Sequence, residues 1–153
     1  MTINQTQVRI AEECLYTAKY LPKRIGDLQA YMRSVVPPSP GSVLKMVGRP
    51  VAKTPFDTSI TERWAIRRAC CDEAMELEAK MCLWYRLREF KAGLEGKEKE
   101  FVLLKYEKEK PVWSIVKEMG ISERKYYRIR QDVVKQLWYQ IRDMNGKIEI
   151  AVQ

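Results

Sequence analysis

Apolar positions recur every three or four residues over most of this 153-residue chain, a period that predicts helices rather than strands. Residues 5–20 carry Val8, Ala11, Leu15 and Ala18 at that spacing. Residues 22–35 carry Ile25, Leu28, Met32 and Val35, with Pro22 suited to a first turn. The two segments fit either a helical hairpin or a kinked pair. Residues 36–58 break the period. They hold five of the seven prolines and two of the seven glycines, which blocks a helix and favours an extended strap. A linker is the plain reading of that strap; Lys45, Arg49 and Lys53 leave a phosphate contact open.

The helical period returns over residues 59–92, where Ser59-Ile60-Thr61-Glu62 fits a capping box. At ~100° per residue, Ile66, Cys70, Leu77, Met81 and Trp84 form one apolar stripe. Trp64, Cys71, Met75 and Cys82 form a second, and Asp72, Glu76, Ala79 and Lys80 take the remaining side. An arc that wide needs more than one partner: neighbouring helices of the same chain, or a second copy in a homo-oligomer. Arg67 and Glu78 fall on the best heptad seam, which argues against a coiled coil. Gly93 and Gly96 end the element.

Beyond it, a helix through Glu100–Tyr106 is followed by a polar break at Glu107–Lys110. Pro111 opens a short helix over Val112–Met119, with Ile115, Val116 and Met119 inward. Gly120 supplies a turn, expected to let two helices approach closely, and Ser122 is a strong helix-start residue. From there Tyr126, Ile129, Val133 and Leu137 make one inward stripe. The opposite side presents Arg124, Arg128, Gln131, Lys135 and Arg142. Arginine can meet a guanine edge bidentately and glutamine an adenine edge. Arg124, Lys125, Arg128 and Gln131, near the helix start, are therefore the expected base readers, and Lys135 and Arg142 the expected phosphate contacts. Arg130 falls toward the flank of the core. A solvated charged face is the plain alternative, weighed against a short helix, a turn and a capped longer helix in sequence. The unit looks complete within residues 97–142 and is expected to bind DNA at reduced affinity without residues 1–58.

Charge adds little to this picture. The net +8 is spread as +3 over residues 1–62, +2 over 63–110 and +3 over 111–153, a hint of an anionic partner at most. Enzyme chemistry has little to work with: there is no histidine, no phosphate-binding glycine loop and no nucleophile elbow. No metal or other cofactor is expected, because Cys14, Cys70, Cys71 and Cys82 form no Cys-x-x-Cys pair. Buried reduced thiols are the expected state. No apolar run reaches the ~20 residues of a membrane span and no signal peptide is visible, so a cytoplasmic protein is expected. The tail KIEIAVQ alternates Ile148, Ile150 and Val152, which fits a frayed end or a short strand.

The run "FVLLKYEKEKPVWSIVKEMGISERKYYRIRQDVVKQL" resembles region four of bacterial sigma factors. The strap, "SITERWAI" and "ISERKYYRIRQDVVKQL" together resemble the RinA and ArpU families of phage-encoded late transcription activators, over roughly residues 36–142. Tyr126, Tyr127, Arg128 and Ile129 match the family's aromatic-Arg-Ile pattern, which adds Tyr127 to the candidate DNA contacts. The resemblance implies binding of double-stranded promoter or operator DNA in the bacterial host cell and activation of phage packaging and structural genes; contact with host RNA polymerase is left open. A small terminase subunit, which also joins such a unit to an oligomerising helical region, is the alternative. The expected fold is all-α: a helical region 1–35, a proline-rich linker 36–58, a long central helix 59–96 and a carboxy-terminal helix-turn-helix domain 97–153.

Overall fold

The computed structural model describes residues 3–35, 60–144 and 146–153. Among them every secondary-structure element is a helix. The elements are α1 (Gln5–Thr17), α2 (Leu21–Val35), α3 (Ile60–Gly93), α4 (Gly96–Val102), α5 (Val112–Met119), α6 (Glu123–Ile141) and α7 (Lys147–Val152). A π-turn, Leu103–Glu107, prolongs α4, and a 3₁₀ turn, Arg142–Met144, follows α6. The strap with Lys45, Arg49 and Lys53, the Ser59 capping box, and the side chains of Trp64, Ile66 and Cys70 lie outside the described residues.

The break between α1 and α2 falls at Ala18–Tyr20, so the two are separate helices. Asn4 starts α1 with a reciprocal cap: its Oδ1 accepts from the Gln7 amide at 2.8 Å, and Gln7 Oε1 accepts from the Asn4 amide at 3.0 Å. Ala11, Cys14 and Leu15 are buried on one face of α1. That face lies against α6, whereas α2 runs along α3. Leu21 and Leu28 are its buried anchors, and Arg24 makes two bonds to Glu76 of α3 at 3.0 and 3.1 Å. One hydrophobic cluster therefore joins residues from 11–21 with residues from 79–151. The expected unit of residues 97–142 thus packs against α1 within this cluster.

The long helix α3 docks by a different face from the one its apolar stripes suggested. Ala79, Leu83, Leu87 and Phe90 are buried, while Leu77, Met81 and Trp84 are half-buried and Met75 and Cys71 exposed. Lys80, expected on the polar side with Ala79, is only 4% exposed. Its aliphatic stem follows the core and its Nζ donates to the Ala151 carbonyl at 3.0 Å, 3.4 Å from Glu76. A buried lysine with its charge satisfied can occupy a position that hydropathy alone reads as solvent.

The carboxy-terminal segment is neither frayed nor a strand. It forms α7 against α3, with Ile148 and Ala151 buried. Six residues cannot hold a helix by themselves, so docking makes it. Lys147 pairs with Glu78 at 2.6 Å, and Arg86 with Asp143 at 3.0 Å, on either side of the α6–α7 connection. Cys14 is buried as expected, but Cys71 is exposed and Cys82 half-buried. No helix among the described residues is long and apolar enough to cross a membrane, and none of their Cys, Asp or Glu side chains cluster to hold a metal.

Candidate nucleic-acid interface

Pro111 precedes α5 in extended conformation, and its carbonyl accepts from the Ser114 and Ile115 amides at 3.0 and 3.2 Å. Ile115 and Met119 are buried and Val116 half-buried. The helix stops at Gly120, which sits at φ 60°, ψ 41°. Its amide bonds the Lys117 carbonyl at 3.4 Å and the Ile121 amide bonds the Val116 carbonyl at 3.1 Å, the paired closure of a Schellman motif. A Cβ at position 120 would meet nothing within 4 Å. The glycine is required by its left-handed backbone, not by the close helix approach expected from the sequence. Ile121, 8% exposed, seals the turn against the core.

Ser122 then caps α6. Its Oγ accepts from the Lys125 amide at 3.3 Å, and its carbonyl accepts from the Tyr126 amide at 2.9 Å. Tyr126, Ile129, Val133 and Leu137 are buried as the spacing predicted, joined by Val134 and Ile141. The other side of the helix carries the candidates. Arg124, Lys125, Arg128 and Gln131 are exposed, and Lys135 is half-buried. At ~100° per residue, Arg124, Arg128, Gln131 and Lys135 fall within an arc of about 60°, over about 16 Å of axis. Lys125 and Tyr127 flank that line on opposite sides. Tyr127 is 50% exposed and lies edge-on to Tyr126 at 5.2 Å. Arg142 lies beyond the end of α6, exposed, over the Tyr139 ring at 5.1 Å. It stands apart from the other candidates.

Five of these side chains are uncommitted. Arg124, Lys125, Arg128, Gln131 and Lys135 make no side-chain hydrogen bond, ion pair or ring contact with any described residue. Elsewhere cations are commonly spent on neighbours, as in Arg24–Glu76, Lys91–Glu107, Lys110–Glu118 and Lys147–Glu78. Exposed Asp132, one turn after Arg128, is the acid nearest the line along the helix.

Arg130 faces the flank, as expected, and it has a partner that the sequence did not reveal. Its Nε and Nη2 donate to Oε1 and Oε2 of Glu12 on α1 at 2.6 and 2.7 Å. The Tyr106 hydroxyl donates to the same Oε1 at 3.1 Å. Burial alone would raise the Glu12 carboxyl, but the Arg130 bonds and charge, with Tyr106 and Lys105, hold it below its ordinary range. Glu12 pushes Arg130 further up, and burial beside Glu12 does the same to Tyr106. Glu12 sits beside an ordinary apolar stripe, and nothing in its local pattern marks it. A groove of about 350 Å³ opens between the start of α1 and α6, lined by Ile3, Val8, Tyr127, Arg130, Gln131, Asp132, Val134 and Lys135.

No family model, curated protein or solved structure matches this chain.

Proposed function

We propose that this chain is a sequence-specific double-stranded DNA-binding protein that reads bases from α6 and activates transcription of phage late genes. One observation carries the DNA-binding part: a capped helix presents two arginines, a lysine and a glutamine along one side with no partner among the described residues. Placing bidentate donors in solvent gains nothing for folding, whereas in a major groove each good base pair contact contributes ~1–3 kcal/mol of discrimination. The α5–turn–α6 unit is read as a helix-turn-helix, with α5 across the backbone and the start of α6 in the groove. Arg124, Lys125, Arg128 and Gln131 then read bases, with Tyr127 beside them, while Lys135 and Arg142 meet phosphates. The activator role and the phage late genes come from the sigma-like and RinA/ArpU-like resemblance.

A small terminase subunit is the second reading, favoured by the exposed Met75 and Tyr85 on α3, which offer apolar surface for a ring. Light scattering separates the two, since a large closed ring fits terminase and a monomer or dimer fits the activator.

The test of the DNA reading uses a duplex selected by the wild-type protein from a random pool. Arg128→Ala should cost ~1–3 kcal/mol on that site and flatten discrimination. Lys135→Ala should weaken selected and scrambled duplexes about equally and reduce the salt slope by about one. An Arg128→Ala protein with undiminished sequence preference would show the stripe to be merely solvated.

A further inference from the structure

We infer that Glu12 is the positioning residue for α6: it clamps Arg130 from the core side, sets the rotation of the helix and keeps that cation out of the DNA-facing field. The inference rests on the DNA-binding reading above.

The apolar face of α6 holds the helix to the core but is poor at fixing its rotation. Contacts of Ile129, Val133 and Leu137 are non-directional, and side chains of this kind adjust to small turns of a helix. A bidentate guanidinium–carboxylate pair is directional, because both bonds must stay near 2.7 Å and in plane. The Glu12 carboxylate has both oxygens on Arg130 and one shared with Tyr106, so it ties α1, the π-turn and α6 at one point. Tyr106 is braced in turn, edge-on to Tyr16 at 5.0 Å and to Phe101 at 6.0 Å.

The geometry makes rotation matter. Arg130 is two residues from Arg128, so the two project from nearly opposite sides of the helix. Side-chain tips lie ~5–6 Å or more from the axis, and a 20° turn would move the Arg128 tip by about 2 Å. That exceeds the tolerance of a hydrogen bond to a base edge. Release of Arg130 would also place a free guanidinium in the groove it lines beside Gln131 and Lys135, adding a cation that attracts any phosphate.

Loss of the clamp therefore has two separable effects that simple loss of structure would not have. In Glu12→Gln, preference for the selected duplex over scrambled DNA should fall about tenfold, the size of one lost bidentate base contact. At the same time the salt slope should steepen by about one. Adding Arg130→Gln to that variant should return the slope to the wild-type value without restoring preference. Arg130→Lys, which keeps the charge but not the fork, should lose preference with little change of slope, and serves if Glu12→Gln does not fold. Circular dichroism and melting identify the folded variants. Folded Glu12→Gln or Arg130→Lys with wild-type preference overturns the inference alone. A wild-type protein that binds no duplex overturns the DNA reading and the inference with it.

Discussion

Replacing Lys80 by alanine should loosen the carboxy-terminal helix from α3 and lower the stability of the whole chain. The Lys80 side chain is 5% exposed, and its Nζ caps the last turn of α7 through the Ala151 carbonyl. A hydrogen bond from a charged group contributes ~1.5–3 kcal/mol. Removal of about three buried methylenes costs ~2 kcal/mol more at ~0.8 kcal/mol each. The relief of desolvating an ammonium group offsets part of that sum, leaving about 3 kcal/mol. At 2–4 °C per kcal/mol for a chain of this size, the melting temperature should fall by about 6–12 °C. Lys80→Met keeps most of the stem and loses only the polar contact, so it should cost ~1 kcal/mol, or about 3 °C. Glu76 retains its two bonds to Arg24 in both variants, so α2 should stay docked. Urea and thermal unfolding measure the global term, and carboxypeptidase trimming of α7 measures the local one. If Lys80→Ala melts within a degree of wild type and its tail resists trimming, the buried lysine does not hold the tail.

Gly120→Ala should destabilise by ~1 kcal/mol, because φ of +60° strains any side chain even in open space. Gly26→Ala, in the interior of α2 with equally open space, should instead stabilise by ~0.5–1 kcal/mol in the same urea titration. The Glu12 and Glu76 carboxyls are both held below their ordinary 4.5, Glu76 chiefly by its hydrogen bond from Arg24. Their contribution is complete above pH 4.5 and lost as the pH falls through the lowered folded values, so stability should drop on acidification and Glu12→Gln should flatten that drop. A thiol reagent at pH 8 should modify exposed Cys71 in the folded protein and reach Cys14 only on unfolding, since burial excludes solvent and pushes the Cys14 thiol up to about 12. Peptide mapping of the labelled protein checks the order.

What the amino-acid sequence determined by itself is what short-range rules decide. The helical periods of α1, α2, α5 and α6, the turn at Gly120, the cap at Ser122 and the inward stripe Tyr126–Leu137 each depend on residues within a turn or two of one another. The outward side of α6 followed for the same reason, because once the buried stripe is known the opposite face is fixed by geometry. Only the tertiary structure decided which face of α3 is buried. Its apolar arc was wide enough for several docking modes, and the packing of α2 and α7 selected the face with Ala79, Lys80 and Leu83. The tail became a helix because α3 receives it, across a separation of 71 residues between Lys80 and Ala151. The clamp on Arg130 spans 118 residues to Glu12, and no local pattern announces a partner at that distance. Periodicity and capping are written in neighbouring residues, whereas a part-buried ion pair such as Arg130–Glu12 exists only where two distant surfaces meet.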